Sequence, residues 1–143
     1  MTNIVGYTTG VFDLFHVGHL NLLRNAKSMC DKLVVGVTVD ELTYYKNKKS
    51  VIPFEERLKI VEAISYVDLV IPQREIDKVA AWHKLKYNIL FVGDDWYGTK
   101  KWQIMELKLK DYGVKVVYFP YTKGTSSTLI NELLIKLRGD DGV

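Results

Sequence analysis

The sequence is short of several things, and each shortage narrows what the chain can be. It has a single cysteine, Cys30, among 143 residues, so no disulfide can form within it. Placed at the end of a helical pattern, that thiol reads as a small packed side chain. There are only three prolines, and no low-complexity linker or internal repeat divides the chain. Apolar runs such as Leu33-Val34-Val35 fall far short of the roughly 20 residues that a membrane helix needs. The N-terminus Met1-Thr2-Asn3-Ile4-Val5 lacks the basic start and long apolar core of an export signal. The expectation is a cytoplasmic protein with no membrane partner. Net charge is also small: +3 is no nucleic-acid footprint, and no nucleic-acid partner is expected.

What is present suits one globular core. Hydrophobic residues make up 48% and charged residues 26%, an ordinary balance for a folded domain. The length predicts one domain, taken as residues 1–138, with 139–143 as a flexible tail. Short β-branched runs alternate with amphipathic stretches. Strands are expected at Ile4–Thr8, Leu33–Val39, Val67–Ile71 (closed by Pro72), Ile89–Val92 and Val114–Phe119. Helices are expected at Gly18–Met29, Pro53–Ser65, Ile76–Lys86, Lys100–Tyr112 and Ser126–Leu137. The segment between Val39 and Pro53 reads as a loop. The almost continuous apolar run at Leu33–Val39 is that of a strand covered on both faces. The fold class that follows is α/β: a Rossmann-like, five-stranded parallel sheet with helices on both faces. Ligands of such sheets bind at the carboxyl ends of the strands, near the point where strand order reverses.

The polar segments fall there. Thr9–His19 follows the first strand, the lysine-bearing loop follows the second, Gly93–Trp96 the fourth and Tyr121–Thr128 the fifth. In the first of these, His16 and His19 stand three residues apart at a helix start, so their rings share one side. Gly18 lets a ligand approach the backbone. The free N–H groups and positive end of the helix favour an anion. Phosphate binding is therefore the preferred reading. Two histidines with no further ligand nearby make a thin zinc site, and no protein metal site is expected. Lys46, Lys48 and Lys49 with Arg57 would suit a polyphosphate, or form a solvated loop. Asp13 could support the histidine loop or simply shape a turn. Asp94 and Asp95 could bind a metal, cap a helix or contact a nucleotide. His83, Tyr44, Tyr45, Trp102, Met105 and Leu109 read as packing or surface residues.

The segment Gly10-Val11-Phe12-Asp13-Leu14-Phe15-His16-Val17-Gly18-His19 resembles the HxGH nucleotidyltransferase superfamily, and within it the glycerol-phosphate cytidylyltransferases. Lys46 and Lys48, Arg57, Gly93-Asp94-Asp95-Trp96 and Thr122-Lys123-Gly124-Thr125-Ser126-Ser127-Thr128 match the family's further motifs in order, over almost the entire chain. Two positions depart from the pattern: Tyr121 and Ser65 stand where the family often has arginine.

The resemblance implies a cytidylyltransferase that condenses CTP with a small alcohol phosphate, most closely glycerol phosphate, releasing pyrophosphate. It implies His16, His19, Lys46 and Asp13 as catalytic residues. Nucleotide contacts would come from Thr9, Gly10, Val11, Phe12, Gly18, Gly93, Asp94, Asp95, Thr125, Ser126, Ser127 and Thr128. The acceptor's phosphate would meet Lys46, Lys48, Arg57 and Tyr121. It further implies Mg2+ carried by the triphosphate, and a homodimer. Another acceptor, ATP in place of CTP, and a non-catalytic nucleotide-binding regulator are the alternative readings.

Overall fold

The computed structural model describes residues 3–45, 50–93, 97–120 and 127–139. Five parallel strands form one sheet: β1 (Val5–Gly10), β2 (Lys32–Thr38), β3 (Leu69–Gln73), β4 (Ile89–Gly93) and β5 (Lys115–Phe119), in the order β3-β2-β1-β4-β5. Among the described residues, six helices connect or follow them: α1 (Val17–Lys27), α2 (Asp40–Tyr45), α3 (Phe54–Glu62), α4 (Lys78–Leu85), α5 (Lys100–Lys110) and α6 (Ser127–Gly139). The expected α/β sheet is thus the observed one. Strand order reverses between β1 and β4, so the carboxyl ends of those two strands frame the place where such sheets bind ligands.

Alternate residues of each strand feed two cores, as the two-residue period of a strand requires. Leu33, Val35, Val37 and Phe91 pack with Leu23 and Ala26 of α1 and Val61 of α3. Tyr7, Val34 and Leu90 pack on the other face with Trp102 and Leu109 of α5 and with Val79 and Trp82 of α4. All but the first residue of β2 are buried, as its sequence predicts. Gly6 is needed where β1 passes Phe91: a Cβ there would lie 2.5 Å from the Phe91 ring and 2.8 Å from Cys30 Sγ. Among the described residues, no helix is long and apolar enough to cross a membrane.

Two elements differ from expectation. The segment after β2, read as a loop, begins with α2, six residues long; two short turns give no periodicity to detect. β3 does not close before Pro72 but runs through it. The Gln73 carbonyl accepts from Val39 N–H, so Gln73 faces β2 and the alternating position, Pro72, turns its nitrogen to the open edge. β3 is an edge strand, where a missing N–H costs no ladder bond.

Candidate active site

The loop from β1 to α1 and the first turn of that helix carry the histidine pair at the carboxyl edge of the central strand. His16 is the N-cap of α1. Its Nδ1 accepts from Gly18 N–H at 3.0 Å, and His16 N–H donates to His19 Nδ1 at 3.2 Å. The two rings stack with centroids 4.0 Å apart, and Phe12 and Phe15 enclose His19 at 5.3 and 5.2 Å. Burial, and then the neighbouring His16, pushes His19 down to about 4; burial also lowers His16. Both rings are therefore neutral at pH 7. Because each Nδ1 accepts an N–H, each ring carries its proton on Nε2. The site thus holds two imidazole donors whose tautomers are set by the local backbone. Gly18 N–H is not left for a phosphate, contrary to the expectation of free amides at this helix start; the imidazole caps it. Phe12 and Leu14 sit at φ 55° and 50°, a left-handed region that costs a non-glycine residue about 1–3 kcal/mol. Phe12 is held there by burial in the core.

Asp13 is tied across the cleft. Its carboxylate accepts from Val51 N–H at 2.8 Å and Ile52 N–H at 2.9 Å. This binds the histidine loop to the segment that leaves the lysine loop. These bonds run to backbone distant in sequence, as a support of the histidine loop would, rather than to the turn that holds Asp13 itself.

Arg57 does not present its guanidinium to the cleft. The side chain is fully inaccessible. Nε donates to Ile52 O at 2.9 Å, NH1 to Val11 O and Thr38 O at 2.7 Å each, and NH2 to Asp40 Oδ1 at 2.6 Å. Four of the five donors of the fork are used inside the protein. The expected contact with a substrate phosphate is replaced by a brace that joins the histidine loop, the end of β2 and the start of α3. Asp40 completes it, accepting also from Ser50 Oγ and Phe54 N–H. Burial works against the Asp40 carboxylate, but Phe54 N–H, Arg57 and Ser50 outweigh it and hold the carboxyl below its ordinary value.

Asp40 and Lys78 were not singled out in the sequence. Asp40 had one signal, an acidic residue directly after the carboxyl end of an expected strand. Lys78, 7% exposed, had none; its Nζ donates to Thr9 Oγ1 at 2.7 Å.

The other expected positions distribute as follows. Thr9 and Gly10 end β1, Val11 and Phe12 follow in the loop to α1, Gly18 lies in the first turn of α1, and Gly93 ends β4. Ser127 and Thr128 open α6. Lys46, Lys48, Asp94, Asp95, Tyr121, Thr125 and Ser126 lie outside the described residues. Ser65 lies between α3 and β3, at the amino edge of the sheet and away from the histidines. Trp102 and Leu109 are core residues and Met105 packs against them. Among the described residues, no group of three or more His, Cys, Asp or Glu side chains could hold a metal ion.

Residues 7–133 match the family model described as cytidylyltransferase-like. The chain belongs to the cytidylyltransferase-like family. Its match takes in the histidine loop and all five strands except the first two residues of β1, and it makes the protein a nucleotidyltransferase. Glycerol-3-phosphate cytidylyltransferase of Bacillus subtilis (strain 168) is 40% identical over 132 residues, covering 87% of this chain and 92% of the relative. FAD synthase of Archaeoglobus fulgidus is 37% identical over 109 residues, covering 76% and 79%. Among solved structures, the lipopolysaccharide core biosynthesis protein from Thermoplasma volcanium GSS1 superposes with a TM-score of 0.71 at 27% identity, covering 87% of this chain and all of that one.

Proposed function

We propose that this cytidylyltransferase-like enzyme transfers the cytidylyl group of CTP to glycerol phosphate, giving CDP-glycerol and pyrophosphate. The observation that carries the reading is the neutral, stacked imidazole pair at the carboxyl edge of β1. The glycerol-3-phosphate cytidylyltransferase likeness over 87% of the chain supplies the substrate pair.

An oxygen of the acceptor's phosphate attacks the α-phosphorus of CTP in line. The new P–O bond forms as the bond from Pα to the bridging oxygen breaks, and pyrophosphate takes up the electron pair. The acceptor's phosphate is already anionic at neutral pH, so no protein nucleophile is required. Catalysis then rests on position and on charge stabilisation. His16 and His19 donate from Nε2 to phosphate oxygens as charge builds in the crowded transition state. Neutral rings can perform this task, since with Nδ1 accepting from the backbone the proton is already in place on Nε2. Lys46 and Lys48 neutralise the phosphates from their loop. Asp13, Arg57 and Asp40 hold the exit of that loop against the histidines, which sets where the lysines can reach. Ser126, Ser127 and Thr128 receive the β- and γ-phosphates at the start of α6. Mg2+, carried by the triphosphate rather than by a protein cage, would supply charge neutralisation on the phosphates.

The reading also takes the protein to be a cytoplasmic homodimer, a state that light scattering on the purified protein checks. The FAD synthase likeness favours one second reading, adenylyl transfer from ATP to a flavin phosphate. A matrix of CTP and ATP against glycerol phosphate and flavin mononucleotide, read by product mass, decides between them. CDP-glycerol with Mg2+ is the expected product; no product in any arm overturns both.

A further inference from the structure

Each exposed residue of α5 is a lysine, a glutamine or an aliphatic. The lysines are Lys100, Lys101, Lys108 and Lys110. The aliphatics are Ile104, 48% exposed, and Leu107, 67% exposed. A solvated face normally mixes charges of both signs. Glu106, the one acid of the helix, accepts from Tyr118 Oη and so is drawn away from Lys110, one turn on. Among the described residues, none of the four lysines forms an ion pair. Lys115, exposed at the start of β5, adds a fifth cation.

Ile104 and Leu107 follow Lys100 at the fourth and seventh positions, on one stripe of the helix, opposite Trp102 and Leu109 in the core. A lone exposed aliphatic needs no explanation; two on one stripe, flanked by unpaired lysines, form a surface. Beside Leu107 a groove of ≈ 710 Å³ runs between α5 and β5, lined also by Val114, Val116, Lys110 and Lys115. Tyr112, exposed just beyond α5, packs on Trp82 of α4 with centroids 4.3 Å apart. Lys100 and Lys101 stand in a first turn that holds no acid, although that helix end is positive and favours one. On the opposite face of the sheet the sign is reversed: α3 exposes Glu55, Glu56 and Glu62 and one cation, Lys59. The small net charge therefore hides a two-sided distribution.

We infer that the outer face of α5 docks on the anionic surface of a lipid bilayer, with Ile104 and Leu107 entering the headgroup layer and the lysines meeting the lipid phosphates. Lysines near such a surface each add attraction. A point charge on a flexible stem suits a diffuse array of headgroups, whereas a single defined phosphate favours the arginine fork, and α5 has no arginine. A ring with a polar tip, as in Tyr112, suits the same depth. Contact of this kind lies on one leaflet without spanning it. It departs from the expectation of no membrane partner, which came from the want of a spanning segment. The first turns of α1 and the imidazoles lie on the other face of the sheet from α5, so docking leaves them uncovered.

The test is co-sedimentation of the full chain with vesicles of phosphatidylcholine alone, or with about 30 mol% phosphatidylglycerol. The protein should pellet with the anionic vesicles at about 0.1 M salt, be released at about 0.5 M, and ignore the neutral ones. Lys108→Gln with Lys110→Gln should weaken binding about tenfold or more, and Leu107→Asp by at least about tenfold. The same loss of charge away from α5, Lys32→Gln with Lys59→Gln, should leave binding within about twofold. All these positions are exposed, and circular dichroism checks that each variant is folded. No pelleting with anionic vesicles at about 0.1 M salt, or an equal loss in the control variant, overturns the inference. So does Leu107→Asp binding like wild type, or tighter retention by duplex DNA than by vesicles: either marks a general polyanion surface. Turnover does not enter this readout, so the inference and the proposed function fail independently.

Discussion

Replacing Arg57 with methionine separates a brace from a ligand. Methionine keeps much of the apolar stem and removes the guanidinium. The carbonyls of Val11, Thr38 and Ile52 then lose their donor, and Asp40 loses its cation. An unsatisfied buried carbonyl costs about 1–3 kcal/mol. Asp40 is 38% exposed at its side chain, so water can reach that end and the ion pair itself adds little. The lower end of the range then applies to each carbonyl, and the total loss is about 3–5 kcal/mol, as for breaking other buried charged networks. In urea, with a slope of about 2 kcal/mol/M, the unfolding midpoint should fall by about 2 M. Arg57→Lys should recover only part of this, because an ammonium cannot reproduce the planar fork. Circular dichroism against urea measures the midpoint; kinetics of the same variant, where it remains folded, measure the rest. A midpoint within about 0.5 M of wild type, together with a large rise in KM for the acceptor, would refute the brace and restore Arg57 as a phosphate ligand.

The histidine pair should make stability depend on pH. The folded state lowers both pKa values, so between about pH 4 and pH 6.5 the unfolded chain binds more protons. The contribution is complete above pH 6.5 and is lost as pH falls towards 4; His19→Gln should flatten that limb in thermal melts recorded from pH 4 to 7. Asp13→Asn keeps one acceptor for the Val51 and Ile52 amides but removes the charge. It should cost about 1 kcal/mol of stability and lower kcat at least tenfold, seen by chemical denaturation and by pyrophosphate release. Gly6→Ala forces a methyl into Phe91 and Cys30 and should cost about 1–3 kcal/mol, with no change in KM for CTP if the variant is folded.

Much of the architecture could be read before any coordinates. The β2 run Leu33–Val39 is apolar at nearly every position because the strand is covered twice, and that leaves a direct mark on composition. The stripe Trp102, Met105 and Leu109 is legible for the same reason: one helix face meets the core. The histidine segment drew attention because two histidines three apart follow a strand and open a helix, in a pattern that resembles the HxGH superfamily. What escaped is what depends on partners rather than on pattern. Arg57, near a lysine cluster, reads as one more cation for a phosphate; two of the three carbonyls that claim it, Val11 and Thr38, come from segments distant in sequence and leave no trace of their own. Lys78 reads as an ordinary surface lysine, because its burial is decided by the crossover that lays α4 on the sheet. Pro72 reads as a strand terminator until the strand is known to be at an edge.

The central claim is that the two imidazoles act on the phosphates as charge develops, not on ground-state binding. It is tested most directly by kcat at saturating CTP and glycerol phosphate for His16→Ala and His19→Ala, alongside calorimetric CTP binding. The account predicts a fall in kcat of about 10²–10³-fold for each variant, with CTP affinity within a few fold and a cooperative fold retained. Turnover close to wild type in either variant would contradict it.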